Sequence, residues 1–327
     1  MTENISSQGD AAKPRKFKTY VSDTVSRQAR DYQRDQAVIV PSDPTVDNMP
    51  DVRKATAELY QPLIDEAKQK FVERLESTEI AGVPVLTIVP KNYNTSNEGK
   101  CIFYIHGGAY VMGDPLSLLM FTAPLAYHAG IKISSVDYRL APEHPYPAAA
   151  DDCFNVYGEL IKRYRPQNLA LCGDSAGGAL SLVTALRASR RGMALPAVMA
   201  LSSPWADITK TGDSYHLLEG WDCLIQYEMN LGKPAEVYAG NTDWKDPDIS
   251  PLYADYPAEF PPVLIVSGTR DLLLSCCARL QRVMKRAGIE VHLDVWEGMW
   301  HDFIGFPFLP ECREALKEIA AFITSRI

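Results

Sequence analysis

Six consecutive residues constrain this chain more than any others: Gly173-Asp174-Ser175-Ala176-Gly177-Gly178. They follow an apolar run, 168–172, and precede a helical pattern, 179–191. Strand, tight turn and helix form the context that a Gly-x-Ser-x-Gly nucleophile elbow requires. The reason is steric. A serine on a strained turn exposes its hydroxyl at the sheet edge only if its neighbours lack bulk, and Gly173 and Gly177 supply that freedom. A second signal, His106-Gly107-Gly108-Ala109-Tyr110, also follows an apolar run directly, 101–105. Together the two motifs point to acyl transfer by a serine nucleophile.

The rest of the chain supports a sheet on which such an elbow can sit. Short apolar runs recur at 83–89, 101–105, 131–136, 169–172, 198–202, 263–267 and 291–295. Helical stretches lie between most of them, at 116–129, 147–164, 179–191 and 275–287. Gly192 and Gly288 follow basic residues and stop two of these helices. Alternation of this kind implies an α/β fold, a mostly parallel sheet with helices on both faces. Upstream, 22–36 reads as a short helix. Residues 51–76 read as a longer amphipathic one, with Leu59, Leu63, Ala67 and Phe71 at helical spacing. The polar stretch up to Lys18 reads as a mobile tail.

Charge and cysteines narrow the partners. The net charge of −8 argues against nucleic acid and anionic membrane surfaces. No apolar run reaches the ~18 residues of a membrane span, and Met1 to Asp10 carry no signal-peptide core. The seven cysteines are odd in number and lack metal-type spacing. They read as reduced, mostly buried thiols of an intracellular, cytoplasmic protein. No metal or other cofactor is expected.

A serine hydroxyl needs a base within hydrogen-bond reach, and the base needs a group that orients it. After an elbow of this type the chain order is serine, acid, histidine. Asp271 follows the run 263–267 on a loop leaving a strand, where catalytic groups gather in α/β sheets. His301 lies on the loop after the run 291–295. Asp302 and Asp294 are rival acids. Asp302 adjoins His301 and Asp294 lies within a strand, so neither suits the role. His292 reads as structural and Cys172 as an unactivated thiol. The oxyanion of the tetrahedral intermediate needs preorganised N–H donors. The Gly107, Gly108 and Ala109 loop supplies one source, and Ala176 at the start of a helix the other. One segment, 205–256, interrupts the alternation and is rich in aromatics. It reads as a lid, because connections this long inside a compact domain are more often functional. Trp205, Tyr215 and Trp221 within it, with Tyr110 and Asp174 beside the motifs, are the candidate substrate contacts.

His106-Gly107-Gly108-Ala109-Tyr110, the stretch Asp137-Tyr138-Arg139-Leu140-Ala141-Pro142-Glu143-His144-Pro145-Tyr146-Pro147 and the elbow together resemble the hormone-sensitive-lipase-like carboxylesterases, the bacterial family IV esterases. The likeness runs from about residue 83 to the C-terminus. It implies an α/β-hydrolase core with a helical cap built from an N-terminal part and an insertion before the acid. The expected division is a tail and cap part at 1–50 and a catalytic domain at 51–327, with the cap insertion at about 205–256. It implies Ser175 as nucleophile, His301 as base, Asp271 as its orienter, and Gly108, Ala109 and Ala176 as oxyanion donors, with Gly107 shaping the loop. It also implies an Arg139–Glu143 bridge holding the proline-rich loop, and it favours a homodimer. Two departures stand out. Ala109 replaces the family's third glycine, and Leu272-Leu273-Leu274-Ser275 lacks the second aspartate usual after the acid. The expected activity is hydrolysis of short- to medium-chain esters. The alternative is lactone hydrolysis, because Met299-Trp300-His301-Asp302-Phe303 resembles monoterpene lactone hydrolases. A remote alternative is a non-catalytic ligand receptor, as in the plant gibberellin receptors, which lack the histidine present here.

Overall fold

The apolar runs pair into one sheet because burying them would otherwise leave their backbone N–H and C=O groups without partners. A computed structural model describes residues 20–35 and 45–327. The tail expected up to Lys18 lies outside them. The chain enters through helices α1 (Arg27–Asp35) and α2 (Met49–Phe71), then strands β1 (Val72–Ile80), β2 (Val83–Pro90) and β3 (Cys101–Ile105). Strand–helix units follow. They comprise α3 (Leu119–Ala129), β4 (Ile133–Val136), α4 (Ala148–Arg163), β5 (Leu169–Asp174), α5 (Ser175–Arg190) and β6 (Val198–Ser202). The long insertion carries α6 (Ser214–Leu217) and α7 (Gly232–Ala239). The chain closes with β7 (Val263–Gly268), α8 (Leu274–Arg286), β8 (Val291–Trp296) and α9 (Pro310–Thr324).

The strand order is β1-β2-β4-β3-β5-β6-β7-β8. The hairpin β1–β2 and the β2–β4 pair are antiparallel, and every pair from β4 onward is parallel. Strands β3 to β7 are buried along their whole length. One face is covered by α4, α5 and α8, and the other by α1, α2, α3 and α9. Helix α5 is buried from Ser175 to Ala188, so the helix behind the elbow is part of the core.

Two expectations need correcting. The helix expected at 51–76 ends at Phe71, and strand β1 takes over. Val72 to Ile80 is rich in glutamate, and its first half, 72–76, reads as the end of that helix. It is instead an edge strand whose middle residues face solvent, where charge is tolerated and discourages edge-to-edge pairing. Leu59 of the expected apolar stripe is 49% exposed, whereas Ile64 and Ala67 are buried. Residue 50, where the tail and cap part is expected to end, is the second residue of α2. No helix among the described residues is long and apolar enough to cross a membrane. All seven cysteines are buried and unpaired.

The insertion is tied to the core by charge as well as by packing. Arg187 on α5 bonds Asp248 of the insertion at 2.7 Å and Asp151 of α4 at 2.7 Å. Its side chain is only 10% exposed and that of Asp248 16%. Arg187→Ala removes two charged hydrogen bonds from a nearly buried site but leaves Asp248 paired with Arg190. It is therefore expected to cost about 1.5–3 kcal/mol, read as a lower denaturant midpoint in equilibrium unfolding. Arg190 bonds the same Asp248 from a side chain that is 47% exposed. Arg190→Ala is the control and should cost under about 1 kcal/mol.

Candidate active site

Ser175 stands where β5 becomes α5, at φ +49°. That left-handed value costs a serine roughly 1–3 kcal/mol. The surroundings enforce it. A Cβ on Gly177 would lie 2.0 Å from the carbonyl oxygen of Ile105, so only glycine lets α5 begin this close to β3. The turn aims the Ser175 hydroxyl at the loop after β8. There the Nε2 of His301 lies 3.0 Å from Ser175 Oγ. On the far side of the ring, Nδ1 lies 3.1 Å from Asp271 Oδ1. A carboxylate only accepts, so Nδ1 donates to Asp271, and in the neutral ring Nε2 is left to accept from Ser175.

The three groups come from the ends of β5, β7 and β8, and each is buried. Asp271 is held by the Leu273 N–H at 2.8 Å and the Ser267 hydroxyl at 2.7 Å. Burial raises its carboxyl, but the neighbouring His301 outweighs that and lowers it. Burial lowers His301, but the carboxylates of Asp302 and Asp271 reverse this and hold the imidazole well above the ordinary histidine value.

Sequence reasoning missed two acids of this neighbourhood. Asp222, in the insertion, accepts from the N–H of Leu272 at 3.0 Å and of His301 at 3.1 Å. Its other oxygen accepts from Leu224 and Ile225. One cap side chain thus ties the acid loop to the histidine loop. The only sequence signal was an acid set among apolar and aromatic residues, Trp221-Asp222-Cys223-Leu224-Ile225. Asp302, set aside because it adjoins His301, adopts φ +51°. That turn brings its Oδ2 to 3.1 Å from His301 Nε2.

The oxyanion loop follows β3. Gly108 and Ala109 line the cavity beside Ser175. Ala176 is the second residue of α5, where first-turn N–H groups have no intrahelical acceptor. Gly107 does not join them. Its N–H donates to Asp174 Oδ2 at 3.0 Å, and a Cβ there would lie 2.2 Å from the same oxygen. Asp174 also accepts from the Tyr104 hydroxyl at 2.8 Å. It borders the cavity, but as the anchor of the oxyanion loop. His106 is buried, stacks on Tyr138 with ring centres 4.2 Å apart, and is pushed down to about 4 by burial. It is neutral and structural.

The remaining substrate contacts expected from sequence are corrected. Trp205 and Tyr215 are fully buried and bond one another at 3.1 Å. Tyr110 is buried against Tyr238, ring centres 3.6 Å apart. Trp221 packs over Arg270 at 5.5 Å. None of these four lines the cavity; Trp205, Tyr215 and Tyr110 are taken up by the interior between the insertion and the core. The walls are Tyr60 of α2, Leu118 and Phe121 near α3, Leu224 and Leu231 of the insertion, and Phe306. The expected Arg139–Glu143 bridge is absent. Arg139 pairs with Asp152 at 2.8 Å, and Glu143 with Arg53 of α2 at 2.7 Å. No cluster able to hold a metal exists among the described residues.

The chain is similar to known proteins in sequence and fold. A family model described as an alpha/beta hydrolase fold matches residues 102–305. An esterase of Acinetobacter venetianus is 34% identical over 69% of this chain and 75% of its own. An acetyl-hydrolase of Streptomyces hygroscopicus is 33% identical over 74% of this chain and 83% of its own. The crystal structure of a hormone-sensitive lipase from a metagenome library is 31% identical, with a TM-score of 0.82, covering 93% of this chain and 99% of that one.

The raised imidazole predicts a pH dependence with a definite sign. Only neutral His301 accepts the serine proton, so activity falls as pH drops through the histidine pKa. The acid limb of kcat/KM should lie above the ordinary value of about 6.5. A pH–rate profile measured on a neutral ester checks this.

Proposed function

The chain belongs to the α/β-hydrolase family, in its hormone-sensitive-lipase-like branch, and on that premise we propose that it hydrolyses short- to medium-chain carboxylic esters through an acyl-enzyme on Ser175. The observation that carries this reading is the hydrogen-bond chain from Asp271 through His301 to Ser175. Ser175 Oγ attacks the ester carbon as His301 takes its proton. The oxyanion is met by the N–H groups of Gly108, Ala109 and Ala176. The intermediate collapses, and His301 gives the proton to the departing alcohol. Water then repeats the sequence on the acyl-enzyme.

The cavity supports the chain-length preference. It holds about 340 Å³, the lower end of the range for ligand sites. Its lining includes the aromatic and aliphatic side chains of Phe121, Tyr60, Leu224 and Phe306. Ala109 adds a methyl beside the oxyanion loop at φ +53°, where the family carries glycine. The matching relatives are named as an esterase and an acetyl-hydrolase, which favours simple esters over the lactone alternative. The insertion and α2 together roof the cavity, which supports a lid role shared by both.

Ser175→Ala should leave the fold intact and lower kcat by ~10⁴ or more. A sulfonyl fluoride should label Ser175 in the wild type and nothing in the mutant. Wild-type turnover by the mutant would sink the assignment. Each buried methylene contributes about 0.8 kcal/mol, so kcat/KM should climb with acyl length until the wall is met. The maximum is expected between butyrate and octanoate in a p-nitrophenyl ester series, with Ala109→Gly moving it toward longer acyl groups. A profile still rising at palmitate contradicts the short-pocket reading.

A further inference from the structure

His301 is surrounded by carboxylates from every side. Asp271 comes from the loop after β7, Asp222 from the insertion, Asp174 from the end of β5, and Asp302 from its own loop. Three of them are fully engaged. Asp271 accepts from His301, Leu273 and Ser267. Asp222 accepts from four backbone N–H groups. Asp174 accepts from Tyr104 and Gly107. Asp302 differs. Its Oδ2 lies 3.1 Å from His301 Nε2, on the same nitrogen that faces Ser175. Its Oδ1 is buried without a hydrogen bond among the described residues. Burial raises the Asp302 carboxyl above the usual carboxylate range, while the neighbouring His301 and the nearby Ser202 hydroxyl pull toward the charged form. The side chain is 7% exposed and borders the cavity together with Ser175.

The backbone is built to put it there. Asp302 stands at φ +51°, ψ +35°, and its N–H bonds the Ser203 hydroxyl at 3.2 Å. A left-handed, non-glycine residue next to a reactive imidazole is strain that the surrounding structure must over-determine. With an extended backbone, adjacent side chains would point to opposite sides. The left-handed turn folds the Asp302 carboxylate back onto the ring that precedes it.

Acylation makes no demand on a free acceptor at this position. Ser175 has one O–H, and it goes to Nε2. Deacylation does. Once Ser175 carries the acyl group, its oxygen has no proton to donate, and the nucleophile is a water with two O–H bonds. One points to Nε2. The other needs an acceptor within about 3 Å of the water oxygen, or the water is free to rotate its lone pairs away from the acyl carbon.

Resting on the acyl-enzyme reading above, we propose that Asp302 is a catalytic residue of the second half-reaction, accepting the spectator hydrogen of the hydrolytic water while His301 takes the other. The water oxygen forms the bond to the acyl carbon, its proton passes to Nε2, and the carbonyl electron pair moves onto the oxyanion. The carbon–Oγ bond then breaks, Nε2 returns the proton to Ser175, and the carboxylic acid leaves. Asp302 neither gains nor loses a proton. The raised imidazole of His301 is consistent with this carboxylate beside Nε2.

Partitioning tests it. Methanol has a single O–H, gives it to Nε2, and asks nothing of Asp302. With p-nitrophenyl butyrate and increasing methanol, the ratio of methyl butyrate to butyrate measures the two nucleophiles against one another on the same acyl-enzyme. Asp302→Gly keeps the left-handed backbone, since glycine adopts it freely, and removes the acceptor. It should raise the methanolysis-to-hydrolysis ratio by ~10-fold or more, measured on the alkaline plateau of each profile. Loss of the carboxylate also weakens His301 as the base of both half-reactions, so the readout is the deacylation rate constant relative to the burst rate of nitrophenol release, and that ratio should fall ~10-fold or more. Asp302→Asn also tolerates the left-handed turn and fills the space with one acceptor oxygen. It should fall between Gly and wild type. A ratio unchanged in both variants, or acylation and deacylation slowed alike, overturns the proposal. A wild-type enzyme that forms no methyl butyrate at any methanol concentration overturns the acyl-enzyme reading instead, and the proposal with it.

Discussion

The site in this molecule is arranged around one unfavourable backbone conformation, the φ of +49° at Ser175. Left alone, that residue would relax by roughly 1–3 kcal/mol. It is held because β5 pairs with β3 on one side and β6 on the other, and because α5 starts at once and is buried to Ala188. Gly177 lets the helix start against the Ile105 carbonyl oxygen. The same contact brings β3 close enough for Asp174 to anchor Gly107 and so to set the oxyanion loop. The nucleophile and the donors that would stabilise its product are therefore placed by one piece of packing.

The second half of the site depends on the cap as much as on the core. Asp222 bridges the acid loop and the histidine loop from the insertion. From the N-terminal side, Gln33 on α1 donates to the Gly298 carbonyl at 3.1 Å, and Tyr32 stacks on Trp300 with ring centres 4.9 Å apart. The loop that carries His301 is thus gripped by both parts of the cap.

Much of this was legible in the chain. The parallel core could be read because buried strands are continuous apolar runs, and the elbow because its glycines have a steric purpose. Ser175, Asp271 and His301 could be ordered because each follows a strand. What escaped shares one physical cause, that side chains satisfy each other across the fold in ways spacing does not encode. Strand β1 looked helical because an edge strand is free to carry glutamates. Trp205, Tyr215 and Tyr110 looked like pocket walls because they are large and near the motifs, yet they fill the interior that joins the insertion to the core. Arg139 and Glu143 are close in sequence but take partners on α4 and α2. Asp302 was set aside as the orienting acid, and Asp271 does hold Nδ1; what spacing did not encode is the left-handed turn that brings Asp302 to Nε2 instead.

The central claim is that an ester is opened by covalent transfer of its acyl group to Ser175. It is tested most directly by quenching the enzyme in acid during turnover of p-nitrophenyl butyrate, digesting it, and weighing the peptides. The account predicts a mass gain of one butyryl group on the peptide that contains Ser175, appearing within the first turnover and vanishing once substrate is exhausted. Full turnover with that peptide unmodified at every time point, or the acyl group on another residue, would contradict it.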